Sequence, residues 1–472
     1  MKKISLTALL VALTMLFPVV SGAKSPKRGV SENEFTYKAQ IEALNPGVTW
    51  FYNWGNSFSG DLMEDDMEFV PMTWSGSYSA DRIRDYVKAH PNTKYLLGFN
   101  EPNFSNQADM TPQEAAAAWP AVQDLAAELG LKLVAPAMNY SPNAPYQSPT
   151  KWFDEFVAIV GNDAFDYLAI HSYGGTGNIQ ELATTFHDRY GKEVWVTEFC
   201  LWPGESKEVY VAPQSQIASM IQSVTWLEKT PWIYRYAWFK AVGQSSASKG
   251  PNYGLLISGR GEEPRELSEQ GKVYCYMPDF DLEVYNPVNV LIPARDLIDL
   301  KGVIFGSNND AEVGCPIEIT QFTAGATADY QFDVPSAGVY QLALRVAGVG
   351  EPVRFDPTIA ILAMNPDGTE GAVLSAARSF SLSGSDSDYR YVSFSLELPA
   401  GKQTLRLKEC GLPSGIRISG LMLTDTEIDS AIEEIVVAEA DNACYDMRGV
   451  RVNPSALPRH GVYIQNGTKI IK

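Results

Sequence analysis

Close pairs of cysteine are missing from this 472-residue chain: its five, Cys200, Cys275, Cys315, Cys410 and Cys444, are scattered. That spacing excludes a zinc-type framework. Positive charge is scarce too, with 37 Lys and Arg against 56 Asp and Glu and a formal net charge of -19. Nucleic acid and anionic membrane surfaces need a basic footprint, so neither is expected as a partner, and strongly acidic polysaccharides are disfavoured. There is no His/Asp/Glu cluster at ligand spacing and no nucleotide or flavin fingerprint, so no metal or cofactor is expected. Beyond residue 23 no apolar run is long enough to span a bilayer.

At the start, Lys2 and Lys3 precede an apolar run over residues 4–20 and then Ser21-Gly22-Ala23, small residues placed as a signal peptidase site requires. Residues 1–23 are therefore expected to be a removed signal peptide. The first cysteine, Cys200, lies far from that site, which argues against a lipid anchor and for a secreted, periplasmic or surface-associated protein. Cys315 and Cys410 are candidates for a disulfide within one domain, and the odd count leaves at least one thiol free.

From 34 to 277 short apolar strands alternate with amphipathic helices, the pattern of an α/β domain with parallel strands. Strands are expected over 48–54, 68–74, 95–100, 132–139, 166–173, 193–199 and 233–239. Helices are expected over 80–89, 149–160, 179–190, 214–228 and from Thr111, where Pro112 takes the first helical position and Glu114 completes a capping box. Seven strands with one too weak to see fit a (β/α)8 TIM-type barrel. An open doubly wound sheet is the alternative, but Asn53-Trp54-Gly55-Asn56 stands where its phosphate turn belongs.

From 284 to 425 the period changes to two, with segments such as ADYQFDV (328–334) and GVYQLALRV (338–346) divided by Gly, Pro, Ser and Asp. That is the pattern of an all-β sandwich. Residues 430–472 hold strand-like pieces around a polar middle, too few for an independent core.

Within the first domain, KYLLGFNEPN (94–103) runs an apolar strand into Asn100-Glu101-Pro102, and EVWVTEF (193–199) delivers Glu198 in the same way. Strand ends of a barrel open on one face, so both carboxylates point into one cleft, three strands apart. Paired carboxylates are the equipment for breaking a glycosidic bond. Glu101 is the candidate acid/base, kept protonated by burial or by its negative neighbour. Glu198 is the candidate nucleophile, held ionised by His171, Tyr173 or backbone. Asn100 is placed to bond a sugar hydroxyl. Taken singly, a glutamate at a strand end is more often a solvated loop residue, and His171 is as readily a core histidine as a cleft residue.

Trp50, Tyr52 and Trp54 alternate onto one side of their strand, with Phe51 and Asn53 on the other. Trp54, nearest the end, is the expected sugar platform, because pyranose C–H faces stack on indole. Trp74, Tyr140, Tyr173, Trp202 and Trp238 also stand at strand ends or just beyond; Trp119, Trp152 and Trp226 fall within helices and read as core.

The ordered pieces FYNW (51–54), LGFNEPN (97–103), LVAPAMN (133–139), FDYLAIHSYG (165–174), VWVTEF (194–199) and YAWF (236–239) resemble the Asl1-like glycosyl hydrolases, glycoside hydrolase family 128. The resemblance spans nearly the whole first domain. It implies a retaining β-1,3-glucanase acting on a laminarin-type polysaccharide or oligosaccharide, with Glu101 as acid/base and Glu198 as nucleophile. Trp54, Asn100, His171, Tyr173 and Trp238 fall at substrate-binding positions, and endo and exo action stay open; Asn139 and Trp202, at or just beyond strand ends, are further substrate-binding candidates. The second domain resembles carbohydrate-binding modules related to family 6, with Tyr330 and Tyr340 expected in its core. The last segment resembles a shortened C-terminal sorting domain of type IX-exported proteins. The alternatives are a non-catalytic glycan binder on a degenerate barrel, and a glycosidase for another β-linked glycan.

Overall fold

A computed structural model describes residues 24–59, 67–205, 208–257, 266–350, 356–382, 384–411 and 415–426, together with four short strands between 444 and 471. The expected signal peptide lies outside the described residues. The chain divides into two compact units, 1–211 with 226–267 and 212–225 with 268–472.

The first unit is built on eight parallel strands: β1 (Arg28–Ser31), β2 (Trp50–Tyr52), β3 (Glu68–Phe69), β4 (Tyr95–Leu97), β5 (Lys132–Met138), β6 (Tyr167–Ser172), β7 (Val194–Phe199) and β8 (Ile233–Phe239). Their order, β3-β2-β1-β8-β7-β6-β5-β4, is chain order around a ring. Met72 bridges to Leu97, and Thr73 N–H and Leu97 N–H donate to the carbonyls of Leu97 and Pro71, both at 2.9 Å, which closes the ring. The expected barrel is thus present. Between the strands lie α1 (Lys38–Leu44), α2 (Ala80–Ala89), α3 (Pro112–Leu129), α4 (Pro149–Val160), α5 (Thr176–Tyr190) and α6 (Pro213–Lys229). Thr111 and Glu114 form the expected capping box of α3, and Gly130 at φ 67° ends that helix in the left-handed conformation.

The strand invisible to periodicity is β1, which lies ahead of residue 34. It reads RGVS, with one large apolar side chain, yet all four residues are buried because β2 and β8 flank it. Gly29 is required there: a Cβ would fall 2.3 Å from the indole of Trp50. β2, β3 and β4 are shorter than the expected 48–54, 68–74 and 95–100. β3 stops before Pro71, which has no N–H to give the ladder, and pairing resumes beyond it only as the bridge at Met72.

Side-chain alternation sorts the aromatics. Trp50 and Tyr52 point into the barrel with Tyr95, Leu97, Val134 and Trp195, whereas Phe51 packs outward on Phe35, Phe58 and Phe69. At the strand N-termini the Arg235 guanidinium lies over the rings of Tyr95, Trp195 and Trp50 at 4.5, 5.0 and 5.5 Å, paired to Glu68 at 2.7 Å. That end of the barrel is a packed plug, which leaves the opposite end for chemistry.

The second unit carries α7 (Glu269–Tyr276), then β9 (Asn286–Pro287), β10 (Ile292–Pro293), β11 (Asp299–Ser307), β12 (Ile317–Val334), β13 (Gly338–Ala347), β14 (Thr358–Met364), β15 (Glu370–Ser379), β16 (Arg390–Leu398), β17 (Gly401–Glu409) and β18 (Ile416–Thr424). The path β15-β14-β17-β12-β18-β13-β16 is antiparallel throughout, and its two edges nearly meet where Arg378 on β15 donates to the Ser393 carbonyl on β16. β12 allows the curl by changing partners, from β18 in its first half to β17 in its second. Tyr330 and Tyr340 are buried, and their hydroxyls donate to the carbonyls of Ala294 and Ser336, so both are core residues.

The candidate disulfide between Cys315 and Cys410 is not formed; both thiols are free. Cys315 precedes the start of β12, whereas Cys410 follows β17, whose residue Lys408 pairs with Thr327. About ten residues of strand, at ~3.3 Å each, separate the two. The chain ends in a four-stranded antiparallel sheet of β19 (Cys444–Asp446), β20 (Arg451–Val452), β21 (Val462–Gln465) and β22 (Thr468–Ile471), in the order β20-β19-β21-β22.

Candidate active site

Glu101 follows β4 and is buried at 4% exposure. Its backbone sits at φ 42°, a left-handed conformation that a residue with a Cβ adopts only at a cost, and its N–H donates to the Ala137 carbonyl at 3.0 Å. Asn139, at the end of β5, donates Nδ2–H to Glu101 Oε1 at 3.0 Å, and His171 Nδ1, on β6, lies 2.8 Å from the same oxygen. With one lone pair taken by the Asn139 amide, Nδ1–H of His171 donates to the other. Oε2 is left as the oxygen able to carry a proton.

Glu198, on β7, is dressed differently. Its Oε1 accepts from Trp54 Nε1 at 2.8 Å and from the Tyr52 hydroxyl at 3.0 Å, and its Oε2 accepts from the Tyr173 hydroxyl. His171 Nε2 stands 3.5 Å from Oε1. Burial pushes the Glu198 carboxyl above the usual glutamate range; Glu101's charge adds to that, while His171 and the Tyr173 and Trp54 hydrogen bonds pull it back. The donors favour the ionised form, since a carboxylate accepts on both oxygens. Burial and the Glu198 charge push both tyrosine phenols well above their ordinary range, so both stay protonated donors.

The remaining expected residues divide into two groups. Asn100 is buried, its Nδ2 donating to Gln107 Oε1 at 3.2 Å while Oδ1 has no hydrogen-bond partner in the structure. Trp202 is half-buried, donates its backbone N–H to the Tyr173 carbonyl at 2.8 Å and stacks on Tyr253 with centroids 5.5 Å apart and planes at 16°. Trp54 is half-buried too, at φ 58°, edge-on to Tyr52 and Phe239. Trp238 is placed otherwise: it is 1% exposed, with Nε1 donating to the Tyr253 carbonyl at 2.8 Å, so it supports the aromatic wall from behind.

Sequence reasoning missed two members of the site. Alternation puts Tyr52 on the inward face, but only the fold brings its hydroxyl to Glu198, on a strand three places round the sheet. Tyr253 comes from a loop without periodicity; the available signal was glycine, since a Cβ on Gly243 would fall 2.1 Å from the Tyr253 ring. Among the described residues no group of three His, Cys, Asp or Glu is placed to hold a metal ion.

The arrangement is a cleft with two buried carboxyls, one anion-stabilised and one with a free oxygen, beside a wall of Trp54, Phe239, Trp202 and Tyr253. Alkali-sensitive linkage protein 1 of Schizosaccharomyces pombe is 26% identical over 238 residues, 49% of this chain and 41% of that protein, so the chain matches less than half of that relative's length. Among solved structures, a GH128 subgroup II endo-β-1,3-glucanase from Pseudomonas viridiflava is 34% identical over 54% of this chain and 99% of its own, with a TM-score of 0.46. A GH128 subgroup I endo-β-1,3-glucanase from Amycolatopsis mediterranei, in complex with laminaritriose, is 29% identical over 46% and 89%, with a TM-score of 0.39. The family model described as glycosyl hydrolase catalytic core matches residues 29–274, more than half of the sequence and the span of the barrel, and the chain belongs to that family.

Proposed function

We propose that this glycosyl hydrolase is a secreted β-1,3-glucanase that retains anomeric configuration by double displacement, with Glu198 as nucleophile and Glu101 as acid/base. The observation that carries the assignment is the unequal dressing of the two carboxyls. Glu198 collects donors from Tyr52, Trp54 and Tyr173, the surroundings of a fixed anion. Glu101 collects two donors on Oε1 alone, which leaves Oε2 to deliver a proton to the glycosidic oxygen. In the first step Glu198 bonds to the anomeric carbon as the leaving oxygen takes that proton. In the second, Glu101 takes a proton from water, whose oxygen displaces Glu198.

The β-1,3 linkage is supported by sequence: the six ordered pieces of the barrel, and 34% identity with a bacterial β-1,3-glucanase. Trp54, Trp202 and Tyr253 offer ring faces for the substrate's C–H surfaces. Export is supported by the Lys-apolar-small pattern of residues 1–23, and N-terminal sequencing of the mature protein should begin at Lys24.

The test is sugar release from laminarin, curdlan, mixed-linkage glucan, cellulose and xylan, with the first-formed anomer followed by NMR. Release of β-anomers from β-1,3-glucans, lost in Glu101→Ala and Glu198→Ala, supports the assignment. Azide should restore cleavage to Glu198→Ala with inverted product. Initial α-anomers from the wild type would replace double displacement with inversion, and wild-type turnover by Glu198→Ala would remove that residue from the mechanism.

A further inference from the structure

We infer that His171 is a buried cation that balances the moving negative charge of the reaction, serving Glu198 in the resting enzyme and Glu101 in the glycosyl-enzyme intermediate. The inference rests on the double displacement proposed above and adds an electrostatic positioning residue to it.

His171 is fully buried on β6, two strands from the Glu101 end of β4 and next to β7. Its two nitrogens face different carboxyls, Nδ1 at 2.8 Å from Glu101 Oε1 and Nε2 at 3.5 Å from Glu198 Oε1. A neutral imidazole has one N–H and one lone pair, so one of its nitrogens would aim a lone pair at a carboxylate. The imidazolium presents an N–H to Glu101 and, at an ion-pair distance where Nε2 forms no hydrogen bond, positive charge to Glu198. Among the described residues no Lys or Arg pairs with either glutamate, so the ring is the one group in contact with them that can carry positive charge. The other titratable groups at this point are the hydroxyls of Tyr52 and Tyr173, both on Glu198 and both held protonated.

The reaction moves charge without changing its amount. When the Glu198 oxygen bonds to the anomeric carbon, its carboxylate becomes an ester. The glycosidic C–O bond breaks, the leaving oxygen takes the Glu101 proton, and Glu101 becomes the carboxylate. Hydrolysis reverses this: water gives a proton to Glu101, its oxygen bonds to the anomeric carbon, and the Glu198 ester bond breaks. One negative charge thus shuttles between two carboxyls that the same ring faces at 2.8 and 3.5 Å, and an imidazolium stabilises it at both ends without moving. Preorganised charge of this kind costs no rearrangement at the moment of reaction.

Two measurements test the inference. In the resting wild type, 15N NMR of the imidazole rings should show both His171 nitrogens protonated at the pH of maximal activity; the signals are assigned by elimination with His90→Gln, His187→Gln and His460→Gln. A neutral ring there would overturn the proposal. Because this readout needs no turnover, it stays separate from a failure of the glucanase assignment, which would show as no sugar released by the wild type. In His171→Gln, which keeps a donor but has no charge, the acid limb of kcat/KM should move up by about one pH unit or more. An unmoved limb with a lower kcat would mean that the ring is only structural. Should His171→Gln fail to fold, the wild-type NMR measurement decides alone.

Discussion

The indole N–H of Trp54 donates to Glu198 Oε1 at 2.8 Å, so a side chain expected to act only as a sugar platform also holds the carboxylate. Trp54→Phe keeps an aromatic face at the same left-handed backbone position and removes that donor. Loss of a hydrogen bond to a charged group predicts a fall in kcat/KM of about 10- to 100-fold, carried by kcat. Initial rates on laminarin check this; an equal loss confined to KM would make the residue a platform alone.

As the proposed nucleophile Glu198 must be ionised to attack, and burial raises its carboxyl above the ordinary value of 4.5. Activity should therefore fall as pH drops through a point above that value. Tyr173→Phe removes a hydrogen bond that opposes the shift, so its acid limb should lie higher still. The profile of kcat/KM against pH for both proteins measures the direction, and a lower limb in the variant would contradict it.

Gly29→Ala should destabilise the barrel by about 1–3 kcal/mol, the cost of overpacking. The new Cβ would lie 2.3 Å from the Trp50 indole, which has no room to retreat: its Nε1 donates to the Lys27 carbonyl at 2.9 Å, and the ring is wedged against Trp195. A lower urea midpoint at unchanged slope is expected.

Asp296 supplies a pH dependence of stability. Burial, with Asp279 adding and Arg295 opposing, pushes its carboxyl from 3.8 up to about 6 in the folded protein. The folded state prefers the protonated form, so this contribution is present below 3.8, is lost as pH rises towards about 6 and is constant above. Asp296→Asn should stabilise the second unit at neutral pH by about 1–3 kcal/mol and change little near about pH 4. Urea unfolding at both pH values measures it, and an equal gain at both would assign the effect to packing instead.

Free thiols predict a labelling pattern. Cys410 is exposed and Cys315 buried, so a thiol reagent followed by mass spectrometry should modify Cys410 in the native protein and Cys315 only after unfolding. A pair resistant to labelling until reduced would restore the disulfide.

The sequence by itself determined the barrel's alternation, the capping of α3, the β character of the second unit and the two glutamates. Each of these depends on spacing along one stretch of chain: 3.6 for helices, two for strands, and a carboxylate where an apolar run ends. β1 escaped because burial by two neighbouring strands, not by its own side chains, makes RGVS a strand. The pairing of Cys315 and Cys410 was open in the sequence because their proximity depends on register along β12, which is settled by pairing across the sheet. The tertiary structure alone decided which donors meet which carboxyl. Tyr52, Trp54 and Tyr173 reach Glu198, while Asn139 and His171 reach Glu101, from strands whose separation in sequence says nothing about their separation in space. Closing the ring is what gives two carboxylates of the same type different donors, because the difference between them lies in their surroundings.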